Sequence, residues 1–233
     1  MYLIDDLVIT SGTVSPSSKE GILSEYFLMH MKDAAHLKLN DVSKETALSG
    51  SSVSRFCNAL GSENFTEFQT LLAEDAQNLH SYHTYLLEQG IPSSNAKWID
   101  PLVKRLRESR SVLLYGDVEG QMMFFDGVRE MLLSGKKASM CTGYDMEAKR
   151  EKLMMLEERD TLILFAESYD QNTYLEHSYT AFNVPDEIRT LKAEVYMFSR
   201  SSSSALKNWH CIADSSRDDL RALNMKIVKE FLA

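Results

Sequence analysis

The chain contains no apolar run approaching the roughly 20 residues that a membrane-spanning helix needs, so no membrane partner is expected. It has only three cysteines, Cys57, Cys141 and Cys211, far apart and without a CxxC pair. That excludes a disulfide framework and a cysteine-rich zinc site, and it fits a reducing, cytoplasmic setting. The start, "MYLIDDLVIT", lacks the basic opening and small-residue cleavage site of a secretory signal. Positive charge is also short: 25 Lys and Arg stand against 34 Asp and Glu, a net charge of −9. This argues against a general polyanion binder, but not against a protein that reads DNA with one locally suitable face.

What remains is an ordinary soluble composition, 44% hydrophobic over 233 residues, long enough for one or two domains with a sizeable core. The pattern falls into three parts. Residues 1–79 read as all helix, residues 80–97 as a linker, and residues 98–233 as alternating helices and short apolar runs. In the first part the loop "SGTVSPSS" precedes an apolar helical face in "KEGILSEYFLMHMKDA". Asn40 is placed to cap a short helix, "DVSKETA", that buries Val42. "NFTEFQTLLAEDAQNL" carries Phe65, Phe68, Leu71 and Leu72 at helical spacing. The linker continues a helix through "HSYHTYLLEQ" and breaks at "GIPSSNA", where Gly90 and Pro92 end it. Beyond Trp98, "SVLLYG", "KASMCT", "TLILFAES", "AEVYMFS" and "WHCIA" read as strands separated by amphipathic stretches. That alternation predicts a five-stranded parallel sheet flanked by helices, whose ligands would sit beyond the carboxyl ends of the strands.

One stretch of the first part is more specific. In "LSGSSVSRFCNALG", Val53, Phe56, Cys57 and Leu60 share one helical face, and Ser51, Ser52, Arg55 and Asn58 share the other. Ser49 is a good N-cap and Gly61 a good left-handed C-cap. A short helix, a tight turn through Ala47 and Leu48, and this second capped helix make a helix-turn-helix pattern.

The run "LNDVSKETALSGSSVSRFCNALGSENFTEFQTLL" resembles the N-terminal helix-turn-helix of the RpiR family of bacterial transcriptional regulators, above all in "SSVSRFCNALG" and "NFTEF". The second part resembles that family's sugar isomerase (SIS) domain. The resemblance implies an all-α helix-turn-helix domain followed by an α/β SIS-type domain. It also implies a homodimer or tetramer that binds operator DNA and responds to a carbohydrate-derived effector, controlling carbohydrate-related genes. Carried onto this sequence, the DNA-facing set is Lys44, Ser49, Ser51, Ser52, Arg55 and Asn58. Arg55 could pair with the O6 and N7 acceptors of a guanine. Against this, residues 1–78 hold five Lys or Arg and eleven Asp or Glu, and Gln69 stands where the family has a basic residue. Weak non-specific binding with little tolerance of salt is therefore expected.

The same resemblance places the effector loops after the first and third strands. The first reads "GDVEGQ", keeping Gly116 but placing Val118 at the second glycine and Gly120 at the serine. The second reads "AESYDQ", keeping only Ser168. The ligand-facing set carried over is Gly116, Glu119, Gly120, Ser168, Asp170, Ser199 and Ser201. Asp117, Glu119, Glu167 and Asp170 would crowd a site meant for a dianion, so the phosphosugar motifs are degenerate. Three readings stay open: a different, cationic or neutral ligand; a pocket filled by the protein's own side chains; or a domain kept for dimerisation.

Two competitors to the regulator remain. One is a dimerisation or sensor protein that keeps the architecture without binding DNA. The other is a SIS-fold sugar isomerase, which would need Glu119, Glu167 or His177 beside a bound sugar. His80 and His83 lie at i, i+3 and read as surface histidines rather than metal ligands, since nothing nearby completes a tetrahedral set. No cofactor and no metal are expected.

Overall fold

The structure, a computed structural model, describes residues 2–166, 188, 190–199, 208–213 and 215–232. The chain opens with α1 (Leu3–Thr13) and α2 (Lys19–Met29), followed by a 3₁₀ turn (Met31–His36). Then come α3 (Leu39–Thr46), α4 (Gly50–Ala59) and the long α5 (Phe65–Glu88). The second half runs α6 (Ile99–Glu108), β1 (Ser111–Gly116), α7 (Val118–Met122), α8 (Phe125–Leu133) and β2 (Lys137–Met140). It continues with α9 (Met146–Met154), β3 (Thr161–Phe165), β4 (Glu194–Phe198), β5 (Trp209–Ile212) and α10 (Arg217–Phe231).

All described strand pairs are parallel, in the order β2-β1-β3-β4-β5. The apolar runs explain this: every residue of β3 is buried, as a strand covered on both faces must be. Val112, Leu114 and Ile163 face one core. Leu113, Leu162 and Leu164 face the other, beneath Leu153 of α9. The chain runs from β1 out to β2 at one edge and returns to β3 on the far side of β1. The strand order therefore switches between β1 and β3, where Gly116 pairs with Phe165.

The helical first part is not a separate bead. Leu7, Val42, Val53 and Phe68 belong to the same buried cluster as Val112 and Ile163. Three parts of the reading by sequence change here. "SGT" is the last turn of α1, not loop, because Gly12 lets that turn press against β2. A Cβ there would meet Thr142 Oγ1 at 2.8 Å and the Met140 carbonyl at 2.9 Å. α3 begins at Leu39 with Lys38 as its N-cap, so Asn40 lies inside the helix and does not cap it. Phe68 and Leu72 of α5 are fully buried, but Leu71 is exposed.

The largest departure is His83, which is not on the surface. It is completely buried where α5 crosses α8, with Nδ1 2.5 Å from Glu130 Oε2 and Nε2 3.7 Å from Asp126 Oδ1. Arg129 carries the cluster onward, donating to Asp126 (3.0 Å) and to Asp5 of α1 (2.5 Å) and lying 4.3 Å over the Phe125 ring. His80, one turn earlier, is exposed. Burial alone would push the His83 imidazolium down, but Asp126 and Glu130 outweigh it and hold its pKa above the ordinary 6.5.

A pKa raised by folding contributes stability that is complete below 6.5 and is lost as pH rises through the folded-state value. Unfolding free energy from urea titrations should therefore fall as pH is raised from about 6 to 9. Glu130→Gln should flatten that fall, and an unchanged slope would place its origin elsewhere.

Candidate functional site

Two places in this fold can carry function: the outer face of α4 and the switch point at the carboxyl ends of β1 and β3. At the first, Ser49 caps α4. Its hydroxyl accepts from the Ser52 amide at 3.2 Å and sits 2.9 Å from Ser51 Oγ and 3.0 Å from Ser52 Oγ. The other end closes with Gly61 at φ +91°. The Ser62 amide donates to the Cys57 carbonyl and the Gly61 amide to that of Asn58, the paired bonds of a left-handed cap.

Val53, Phe56 and Cys57 are buried. Phe56 stacks on Phe27, whose ring lies 4.7 Å from Phe68. Burial pushes the Cys57 thiol up to about 12, so it is an inert core group. With that face fixed, Ser49, Ser51, Arg55 and Asn58 are exposed and Ser52 is half-buried, with exposed Lys38 at the N-cap and exposed Lys44 in the last turn of the preceding helix. Among the described residues, Lys38, Lys44 and Arg55 make no ion pair. Gln69 is committed elsewhere, its amide donating to the Ala35 carbonyl. The turn between α3 and α4 pivots on Ala47, which takes the left-handed conformation (φ 56°, ψ 25°), as no other non-glycine among the described residues does.

At the second place Gly116 serves the contact between β1 and β3, and Gly120 that between α7 and β3. Gly116 has φ +104°, and a Cβ on it would meet the Phe165 carbonyl oxygen at 2.1 Å. A Cβ on Gly120 would lie 2.7 Å from the Phe165 ring. The Asp117 carboxylate accepts the Gly120 amide at 2.8 Å and so caps α7. Glu119 pairs with Arg217 of α10 at 2.6 Å. Gln121, fully buried, donates to the carbonyls of Gly116 and Cys141 and accepts the Cys141 amide, tying the end of β1 to the end of β2. Ser199 is half-buried at the end of β4, with its amide donating to the Ile212 carbonyl. Ser168, Asp170 and Ser201, with Glu167 and His177, lie outside the described residues.

Comparison with known proteins separates the two places. The matching family model is the helix-turn-helix domain, rpiR family, over residues 9–79. Residues 9–79 are an rpiR-family helix-turn-helix domain. The match takes in α3, the Ala47 turn and α4 whole. Among solved structures, the chain is similar to the NanR protein of Vibrio vulnificus complexed with ManNAc-6P. That likeness has 14% identity and a TM-score of 0.37, covering 99% of this chain and 89% of the other. It is also similar to the C-terminal domain of glucosamine-fructose-6-phosphate aminotransferase from Francisella tularensis. There the identity is 10% and the TM-score 0.38, covering 79% of this chain and 53% of that one. Neither likeness is strong enough to assign a ligand. No curated protein sequence matches the chain.

Within the rpiR domain, the residues expected to face DNA are exposed on α3 and α4, apart from half-buried Ser52. At the strand ends, Gly116, Glu119 and Gly120 are brought together, but with partners from the chain itself. Gln121 and Arg217 were not singled out from the sequence, because their partners lie 20 and 98 residues away and leave no local signal. Among the described residues there is no group of three or more His, Cys, Asp or Glu placed to hold a metal ion, and no helix long and apolar enough to cross a membrane.

The Ala47 turn is testable by itself. A β-branched residue tolerates the left-handed region poorly, and Ala already bears about 1–2 kcal/mol of strain there. Ala47→Val should therefore lower stability by a further ~1 kcal/mol in chemical denaturation. Ala47→Gly should be neutral or raise it by up to ~1 kcal/mol, since relief of strain opposes the entropy glycine loses on folding.

Proposed function

We propose that this chain is a DNA-binding transcriptional regulator that reads an operator with α4 of its rpiR domain. One observation carries the reading. A capped, rigidly seated second helix of a helix-turn-helix turns Ser51, Arg55 and Asn58 outward, with exposed Lys44 in the last turn of the helix before it and exposed Lys38 at that helix's N-cap. Such a helix enters the major groove with its first turns against base edges. Serine hydroxyls suit phosphates or base edges there, and Arg55 suits a guanine. The second half is read as a SIS-type domain that holds two copies together, as a dimer or a higher oligomer, and so sets the spacing of two α4 helices.

In this reading the strand ends form a pocket filled by the protein's own side chains. Asp117 takes the helix end that a phosphate would use, and Glu119 is engaged by Arg217. A sugar phosphate, like the one bound in the NanR structure, would have to displace the Asp117 carboxylate from the Gly120 amide. An enzyme is disfavoured by the rpiR domain itself. The excess of carboxylates over cations in the first part keeps one competitor in view, an interaction module that shares the architecture without reading DNA.

Fluorescence anisotropy with the DNA flanking the chain's own coding region, over a salt series, decides between them. Saturable, sequence-dependent binding is expected, with a shallow salt slope that reflects few phosphate contacts. Arg55→Ala should weaken specific binding by roughly 5- to 150-fold, the equivalent of one bidentate base contact of about 1–3 kcal/mol. A folded protein with no specific binding to any fragment in a whole-genome selection would leave the interaction module.

A further inference from the structure

A cavity of about 500 Å³ opens between the two halves of the molecule, away from both α4 and the strand ends. One wall is the end of α1 and the face of α2, including Leu28. The other comes from β1, β2 and α9, including Leu113 and Lys152. Its volume falls in the range of small-molecule sites, which are mostly apolar with a few placed polar groups. The most buried charged residue of the lining is Lys152, only 9% exposed. Among the described residues it has one hydrogen-bond partner, the Ser11 carbonyl, although an ammonium carries three donors. The other charges on the lining are committed. Arg110 grips Asp160 at 2.6 and 3.0 Å and also pairs with Glu157, while Lys137 pairs with Glu25. Met29, Met154 and Met155 are partly exposed at the edge of the cavity, and methionine adapts to varied apolar shapes.

We propose that this cavity is a binding site for a small amphipathic monoanion, an apolar body bearing one carboxylate, with Lys152 as the counter-ion. A dianion is disfavoured, because Glu25 and Glu157 share the lining and Lys152 is the one cation there that makes no ion pair among the described residues. A neutral apolar ligand would leave the ammonium with its unspent donors buried, a costly arrangement. Burial already pushes the Lys152 ammonium below its ordinary pKa, and an added carboxylate offsets that cost. Because one wall belongs to the rpiR domain and the other to the sheet, a bound molecule touches both at once.

The test uses the full chain and does not depend on DNA. The dye 1-anilinonaphthalene-8-sulfonate is bound and followed by fluorescence, then displaced by octanoate or by 1-octanol. Octanoate is expected to displace it at a concentration at least tenfold lower than the alcohol. In Lys152→Met, which keeps the length of the side chain, that preference should vanish while displacement by octanol stays within about twofold. Should Lys152→Met fail to fold by circular dichroism, Met155→Trp, at a half-exposed position on the rim, should weaken octanoate displacement tenfold or more. Equal displacement by octanoate and octanol in the unmodified chain would overturn the proposal. So would an unchanged preference in Lys152→Met, or unweakened octanoate displacement in Met155→Trp.

Discussion

The contact between His83 and Glu130, buried where α5 crosses α8, is the point on which the arrangement of the two halves depends. α5 starts at Phe65 inside the helix-turn-helix and ends at Glu88, beyond the sheet's α8. A helix of this length transmits position, where a loop would dissipate it. Sliding the first half over the second would strip an imidazole and a carboxylate of their partners in a dry interior. Breaking a buried pair in this way costs several kcal/mol. Arg129 extends the same constraint to Asp5, so α1 is fixed by the chain of charges that fixes α5. The consequence for DNA reading is geometric: the sheet half dictates where α4 points.

At the strand ends the polar groups of Asp117, Glu119 and Gln121 are partnered within the chain. At a switch in a parallel sheet, helix N-termini offer unpaired amides and positive dipole ends, which welcome anions. Here Asp117 is that anion, held on the chain a few atoms from the Gly120 amide it accepts. Any external phosphate competes with a group whose effective concentration is set by covalent attachment. Gln121 then crosses between the ends of β1 and β2 and takes up three further backbone groups. These bonds tie the end of β1 to the end of β2.

Much of this was legible in the sequence, for a physical reason. Strands buried on both faces leave continuous apolar runs, so "SVLLYG" and "TLILFAES" announced β1 and β3 without ambiguity. α4 was equally plain, because a capped amphipathic helix carries its start, its stop and both faces within fourteen residues. Features with distant partners were not legible. His83 reads as a surface residue until α8 arrives with Glu130, 47 positions later. Asn40 looks like a better cap than Lys38 by residue type, yet α3 is capped two residues earlier, at Lys38. Lys152 sits in a charged stretch, "AKREK", that gives no hint that one of its cations is buried.

The charge balance shows the same lesson in the quantity that most bears on function. Counting residues 1–78 gives eleven carboxylates against five cations, a poor start for a DNA reader. The fold divides those charges differently. Asp5 is neutralised by Arg129 and Glu25 by Lys137, and both cations belong to the second half. Asp75 is spent on the amides of Leu3 and Ile4 at the start of α1, and Glu67 on the Glu63 amide. Glu45 accepts the Tyr26 hydroxyl and lies near His30. The cations beside α4 are not spent in this way. Electrostatic attraction to a phosphate is decided within about a Debye length. The relevant balance is therefore that of the exposed residues of α3 and α4, where Lys38, Lys44 and Arg55 stand with Asp41 and Glu45, and not the sum over a segment of sequence. Five of the eleven carboxylates are bound into caps, hydrogen bonds or ion pairs, which narrows the deficit around that face without reversing it.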